Sequence, residues 1–204
     1  GAGEAVIVAD ATLGKLTKSG SMAVGGNLTA VTTTNNGKLD VFGSLNVATL
    51  DNQDELTVLG NATVGSAVNS GSVTMAGTLT TNETFKNDGS VLVETAHLNG
   101  TFTQSVAEAS FTALGGDNVI SGQVNVSDGT FGLGSTTVES GAVVNATDNG
   151  SVSMHLAKDT VMAGRINVDG ASVVLGQSDS LSTLANHNEP QYPHDSDLTA
   201  AQNP

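Results

Sequence analysis

A short unit recurs along almost the whole chain and leaves few architectures open: a small or polar residue, then two apolar positions with one residue between them. It reads EAVIVAD from Glu4, GSMAVGG from Gly20, GKLDVFG from Gly37, DELTVLG from Asp54 and GSVTMAG from Gly71. It continues as GSVLVET from Gly89, a weaker ASFTALGG from Ala109, GTFGLGS from Gly129, GSVSMHL from Gly150 and GASVVLG from Gly170. The first apolar positions are Val6, Met22, Leu39, Leu56, Val73, Val91, Phe111, Phe131, Val152 and Val173. Their spacing is about 17 residues in the first half and about 20 residues afterwards. Val173 fits least well, standing one place later after its glycine than the others.

Within each unit the apolar residues alternate with period two, as in a half-buried strand. Leu39, Val41, Leu45 and Val47 alternate with Lys38, Asp40, Ser44 and Asn46. A second run follows in most units: Leu28 and Ala30, Leu45 and Val47, Ala62 and Val64, Leu79 and Thr81, Val124 and Val126, Ile166 and Val168. Units close on clusters such as Asn35-Asn36-Gly37, Asn87-Asp88-Gly89, Ser127-Asp128-Gly129 or Asp169-Gly170, residue types that suit sharp corners. An antiparallel meander would place a turn roughly every ten residues, without a higher period. The longer spacing and the recurrence of like residues at like positions predict a parallel β-solenoid of about ten coils. At the usual interstrand spacing such a rod is about 45–50 Å long. Phe85, Phe102, Phe111 and Phe131 are expected inside it, filling the wider later coils.

Composition agrees. Small β-branched and polar residues dominate, Trp and Cys are absent, Tyr occurs once, and charged residues are 13% of the chain. With no disulfides, stability must come from regular stacking. Six basic and twenty acidic residues leave a net charge of −14, which argues against binding nucleic acid or an anionic membrane surface. The sequence contains no apolar run long enough to span a bilayer as a helix, and its start without Met reads as an excised piece of a longer chain. The solenoid is assigned to residues 1–185. Residues 186–204, with all three prolines and the only Tyr, read as a polar linker or a strap over the last coil.

Gly and Asn corners with V-x-V or L-x-V strands resemble the passenger regions of bacterial autotransporters, the type V secreted proteins. The resemblance covers roughly residues 4–185. It implies a right-handed parallel β-helix displayed outside the cell and anchored to the outer membrane through a part not present here. It also implies adhesion, self-association or biofilm formation, with virulence as a context. The chain lacks a membrane barrel, a GDSGS protease motif and the NPNL-type haemagglutinin signature, so the resemblance fits an internal passenger slice.

Many parallel β-helices act on polysaccharides, and hydrolases among such enzymes need paired carboxylates. Asp51, Asp54 and Glu55 form the one dense acidic cluster, read as a solvated corner. Asp169 and Asp179 share a face near the only Arg, Arg165, which an ordinary salt bridge explains. Gly115-Gly116-Asp117 is a fragment of a calcium-roll motif without its repetition. His97, His155, His187 and His194 never reach metal-ligand spacing. Sequons at Asn27, Asn61 and Asn99 occur as often as chance predicts in so Asn- and Thr-rich a chain. No catalytic, cofactor or metal residue is assigned. Rows such as Thr32-Thr33-Thr34 and Thr78, Thr80, Thr81 either solvate the outer face or contact a glycan or another copy of the chain.

Three functions follow. The leading one is an extracellular structural or adhesive segment of a bacterial surface protein, contacting a host or cell-surface glycan or protein, or itself. The alternatives are a polysaccharide-acting β-helix enzyme and a passive spacer presenting a distal domain.

Overall fold

The computed structural model describes residues 3–148, 152–157 and 159–177, and among them every regular element is a strand. The strands stack in parallel into a β-solenoid of about ten turns. Each turn has three faces. The first face carries ten successive strands, from Glu4–Ile7, Ser21–Val24 and Leu39–Val41 down to Val152–Ala157 and Ser172–Gln177. The second and third faces share single eight-residue strands in the first four turns: Ala11–Lys18, Leu28–Asn35, Leu45–Asn52 and Ala62–Asn69. From Thr84–Asn87 onward the third face has strands of its own, ending with Arg165–Asp169.

Register sharpens the repeat. Met22, Leu39, Leu56, Val73, Val91, Phe111 and Phe131 form one inward column. At its ends the expectation shifts. Ala5, not Val6, stands opposite Met22, and Val6 is 63% exposed. Met154, not Val152, follows Phe131, and Val173 is then in register with Met154. The misfit lay in the Gly150 unit, where the step from Phe131 to Met154 exceeds every step before it and the step to Val173 after it. The added residues between Phe131 and Met154 shift the inward position from Val152 to Met154.

Two runs per unit also become three strands. Leu28, Leu45, Ala62 and Leu79 stack on the second face, whereas Val124 and Ile166 stack under Phe102 on the third. The third face was hidden because in the early turns half of its inward positions are Asn, beside a single inward Leu, Thr or Ala per turn.

The core is a continuous column of small and medium aliphatics, nearly all under 5% exposed. Where the turns lengthen, four phenylalanines fill them. Phe85, Phe102, Phe111 and Phe131 are buried, with centroids 5.5 Å (Phe85–Phe102), 5.0 Å (Phe102–Phe111) and 5.4 Å (Phe111–Phe131) apart.

Close stacking at corners explains why some glycines stand where they do. A Cβ on Gly100 would overlap the Glu83 carbonyl oxygen of the turn above, whereas one on Gly14 meets nothing within 4 Å. Gly100→Ala is therefore expected to cost about 1–3 kcal/mol through forced separation of two turns. Gly14→Ala should leave the urea midpoint at or above the wild-type value.

Candidate functional site

Inside the third face runs a hydrogen-bonded ladder of side-chain amides. Asn35, Asn52, Asn69, Asn87 and Gln104 occupy one column, all at most 1% exposed. Asn35 Nδ2 donates to Asn52 Oδ1 (2.7 Å), Asn52 Nδ2 to Asn69 Oδ1 (2.8 Å), and Asn69 Nδ2 to Asn87 Oδ1 (2.9 Å). Asn87 Nδ2 donates to Gln104 Oε1 (2.9 Å). The same amides hold the corners: Asn52 also donates to the carbonyls of Asp54 (3.0 Å) and Ser72 (3.1 Å), and Asn69 to those of Gly71 and Ser90. A primary amide suits this position because it has two donors and an acceptor. Asn35 and Asn87, expected at corners, are thus interior residues.

The ladder has a direction and two terminators. At its upper end Lys18, in register with Asn35, donates from Nζ to Asn35 Oδ1 at 2.7 Å. Lys has donors only, which suits a site with no acceptor to supply. At the lower end Gln104 Nε2 donates to the carbonyls of Ala109, Asp128 and Thr130. Below it the column continues as Val126, Ala146 and Val168.

Burial lowers the Lys18 pKa below the free value of 10.5, partly offset by Asp54 and Asp40. The folded state therefore holds this proton less firmly than the unfolded state. Its contribution disfavours folding below the folded pKa and is relieved as pH rises through that value towards 10.5. Urea melts from about pH 8 to about pH 11 are expected to show wild type gaining on Lys18→Met. The Lys38 pKa moves the opposite way, raised first by its hydrogen bond to Glu55, so that pair weakens at alkaline pH.

The remaining sequence candidates do not converge. Lys38 Nζ lies 2.8 Å from Glu55 Oε1 and 3.7 Å from Asp40 Oδ1, so the acidic cluster is partly neutralised. Asp51 accepts from Gln53 Nε2 at 2.9 Å. Arg165 and Asp169 are four residues apart on one strand, about 13 Å along it, which is too far for an ion pair. Asp179, His187, His194 and the 186–204 tail lie outside the described residues.

The two described histidines sit on different faces. His97 Nε2 is 3.2 Å from Asp117 O, and His155 is buried with Nε2 unpartnered. Asp117, in the Gly115-Gly116-Asp117 corner, has φ of 61°. No group of three or more metal-ligating side chains occurs among the described residues. The sequon asparagines serve coil contacts: Asn27 and Asn61 accept from the amides of Ser44 (2.8 Å) and Thr78 (2.9 Å), and Asn99 donates to Asn82 (3.1 Å).

What the rod presents outward is a set of columns. Thr12, Thr29, Asn46, Thr63 and Thr80 line the second face at one residue per turn. Ser72, Ser90 and Ser110 line the first, with Ser110 Oγ 3.3 Å from Ser90 Oγ. The expected threonine rows need correction. Thr33 and Thr81 face the core (0% and 3% exposed): within Leu28–Asn35 the inward phase shifts by one residue between Ala30 and Thr33, and within Ser72–Thr81 alternation after Leu79 turns Thr81 inward. Phe42 and Leu59, 55% and 52% exposed, edge a shallow groove of about 260 Å³ that also includes Lys38, Asp40 and Thr57. An exposed Phe was not anticipated; its place after the inward Val41, at a corner, was the available signal.

Comparison with family models, curated proteins and solved structures returns no match.

Proposed function

We propose that this chain is a structural and adhesive rod of a bacterial surface protein, working outside the cell by repeated weak contacts along its faces. The observation that carries the reading is the outward hydroxyl and amide column of the second face, Thr12, Thr29, Asn46, Thr63 and Thr80. Like groups one strand spacing apart on a stiff support can meet a periodic ligand many times, so individually weak bonds add as avidity. The likeness of the repeat to autotransporter passengers supports the extracellular setting, and the net charge of −14 favours neutral or cationic partners over anionic ones. The partner is a surface glycan or protein, or a second copy of the chain.

The test is bead agglutination and attachment with the purified chain coupled to particles. Coated particles are expected to clump or to bind a glycan- or cell-coated surface. Thr29→Lys/Thr63→Lys/Thr80→Lys should abolish this while the circular dichroism spectrum stays unchanged. Equal behaviour of wild type, the triple variant and albumin-coated particles would contradict the reading.

A further inference from the structure

One phenylalanine stands apart from the other four. Phe85, Phe102, Phe111 and Phe131 are buried, whereas Phe42 is 55% exposed at the corner that follows Leu39–Val41. Leu59, 52% exposed, occupies the same corner one turn below, where its amide donates to the Val41 carbonyl at 2.9 Å. Gly25 stands one turn above Phe42 and Ala76 one turn below Leu59, so the two large side chains form a bounded patch. Beside them on the first face, Asp40 and Thr57 are outward register neighbours, about 4.8 Å apart. Together with Lys38 these side chains line the shallow groove of about 260 Å³.

The polar groups of the groove are incompletely used. Lys38 Nζ is held by Glu55 at 2.8 Å and reaches Asp40 Oδ1 only from 3.7 Å. Among the described residues Asp40 has no closer partner and Thr57 Oγ1 has none. The patch exposes on the order of 200 Å² of apolar surface, well below the ~800 Å² per partner of a stable protein interface. An apolar side chain seated on Phe42 would also shut Asp40 and Thr57 away from water without partners, which is costly. A pyranose avoids that cost. Its face of C–H bonds packs on an aromatic ring, and the hydroxyls on its edge donate to a carboxylate and accept from an ammonium or a hydroxyl. Asp40 and Glu55 flank the one cation of the groove, which favours a neutral sugar over an anionic one.

We propose that this groove is a subsite for a single neutral hexopyranose, its ring stacked on Phe42 and Leu59 and its hydroxyls bound by Asp40, Thr57 and Lys38. The subsite lies on the first face and its corner, and does not rest on adhesion through the second-face column. For a ligand this small on so shallow a surface, the dissociation constant is on the order of 1–10 mM.

Saturation-transfer NMR on the full chain tests this with methyl β-glucopyranoside, methyl β-galactopyranoside, methyl α-mannopyranoside, N-acetylglucosamine and N-acetylneuraminic acid. At least one neutral sugar should show saturable transfer to its ring C–H protons, and N-acetylneuraminic acid should bind at least about tenfold more weakly. Phe42→Ala should abolish the transfer and Phe42→Trp preserve it, while Asp40→Asn and Thr57→Val each weaken affinity about fivefold or more. The Thr29→Lys/Thr63→Lys/Thr80→Lys chain should bind the sugar as wild type does, so that failed agglutination and a failed subsite are told apart. Absence of saturable transfer to all the neutral sugars, or transfer that survives Phe42→Ala, would overturn the proposal. So would a dimer in light scattering that Phe42→Ala dissolves, which would assign the patch to a second copy.

Discussion

Asn52→Ala is expected to lower stability by about 3 kcal/mol, a fall in melting temperature of roughly 6–12 °C for a chain of this size. The substitution removes the donor to Asn69 Oδ1 and the acceptor of Asn35 Nδ2, and frees the carbonyls of Asp54 and Ser72. Asn69 Oδ1 would then be buried without a donor, and such an orphan group costs more than a made bond contributes. Asn52→Asp should be worse still, because a carboxylate at this depth places oxygen against oxygen and carries a charge into the core. Asn36→Ala, at an exposed corner just after the ladder residue Asn35, is the control and should stay within about 0.5 kcal/mol. Differential scanning calorimetry decides the comparison.

The ladder's value is not raw stability. The same column holds Val126, Ala146 and Val168 lower in the rod, where aliphatic side chains take the place of the amides. An amide row instead penalises slippage. Shifting one turn by one residue would turn its Asn to solvent and leave its neighbours unpaired.

The second large effect lies in the aromatic segment. Phe111→Ala should cost about 3–5 kcal/mol, since the ring is 0% exposed and packs on Phe102 and Phe131 at 5.0 and 5.4 Å. Because each turn is stabilised by its neighbours, a cavity here also weakens the coupling between the shorter turns above and the longer ones below. The expected thermogram is a transition that broadens or divides, with the midpoint of the weaker part lowered by roughly 10 °C. Phe42→Ala, at an exposed corner, should move neither midpoint beyond a degree or two.

Much of this architecture was legible because stacking imposes like residues at like positions. The inward column from Met22 to Phe131 and the buried phenylalanine cluster follow directly from period-two alternation and the recurring corner. The third face was not legible. Its inward row pairs Leu or Ala with Asn, as in Leu50 and Asn52 or Ala67 and Asn69, and an Asn beside Ser-Gly or Asn-Gly reads as a turn. Only the regular recurrence of that Asn, once per turn through Asn35, Asn52 and Asn69, could have marked it as interior. Lys18 at the head of the same series carried the matching signal. Thr33 was misplaced for a related reason: in a run of three threonines, alternation leaves no trace in hydropathy. The outward columns could be placed only once register was known, since a shift of one residue exchanges inside for outside.

The central claim is that three-faced parallel turns stack in register along one axis. It is tested most directly by the distance between spin labels at Thr29 and Thr137, both outward on the second face and six turns apart in the same column. Pulsed electron resonance on the Thr29→Cys/Thr137→Cys chain, which has no other cysteine, should give a narrow distribution centred near about 29 Å. A meander of antiparallel hairpins would place the same residues about 55 Å apart. A distance in that range, or a broad distribution without a maximum, would contradict the solenoid.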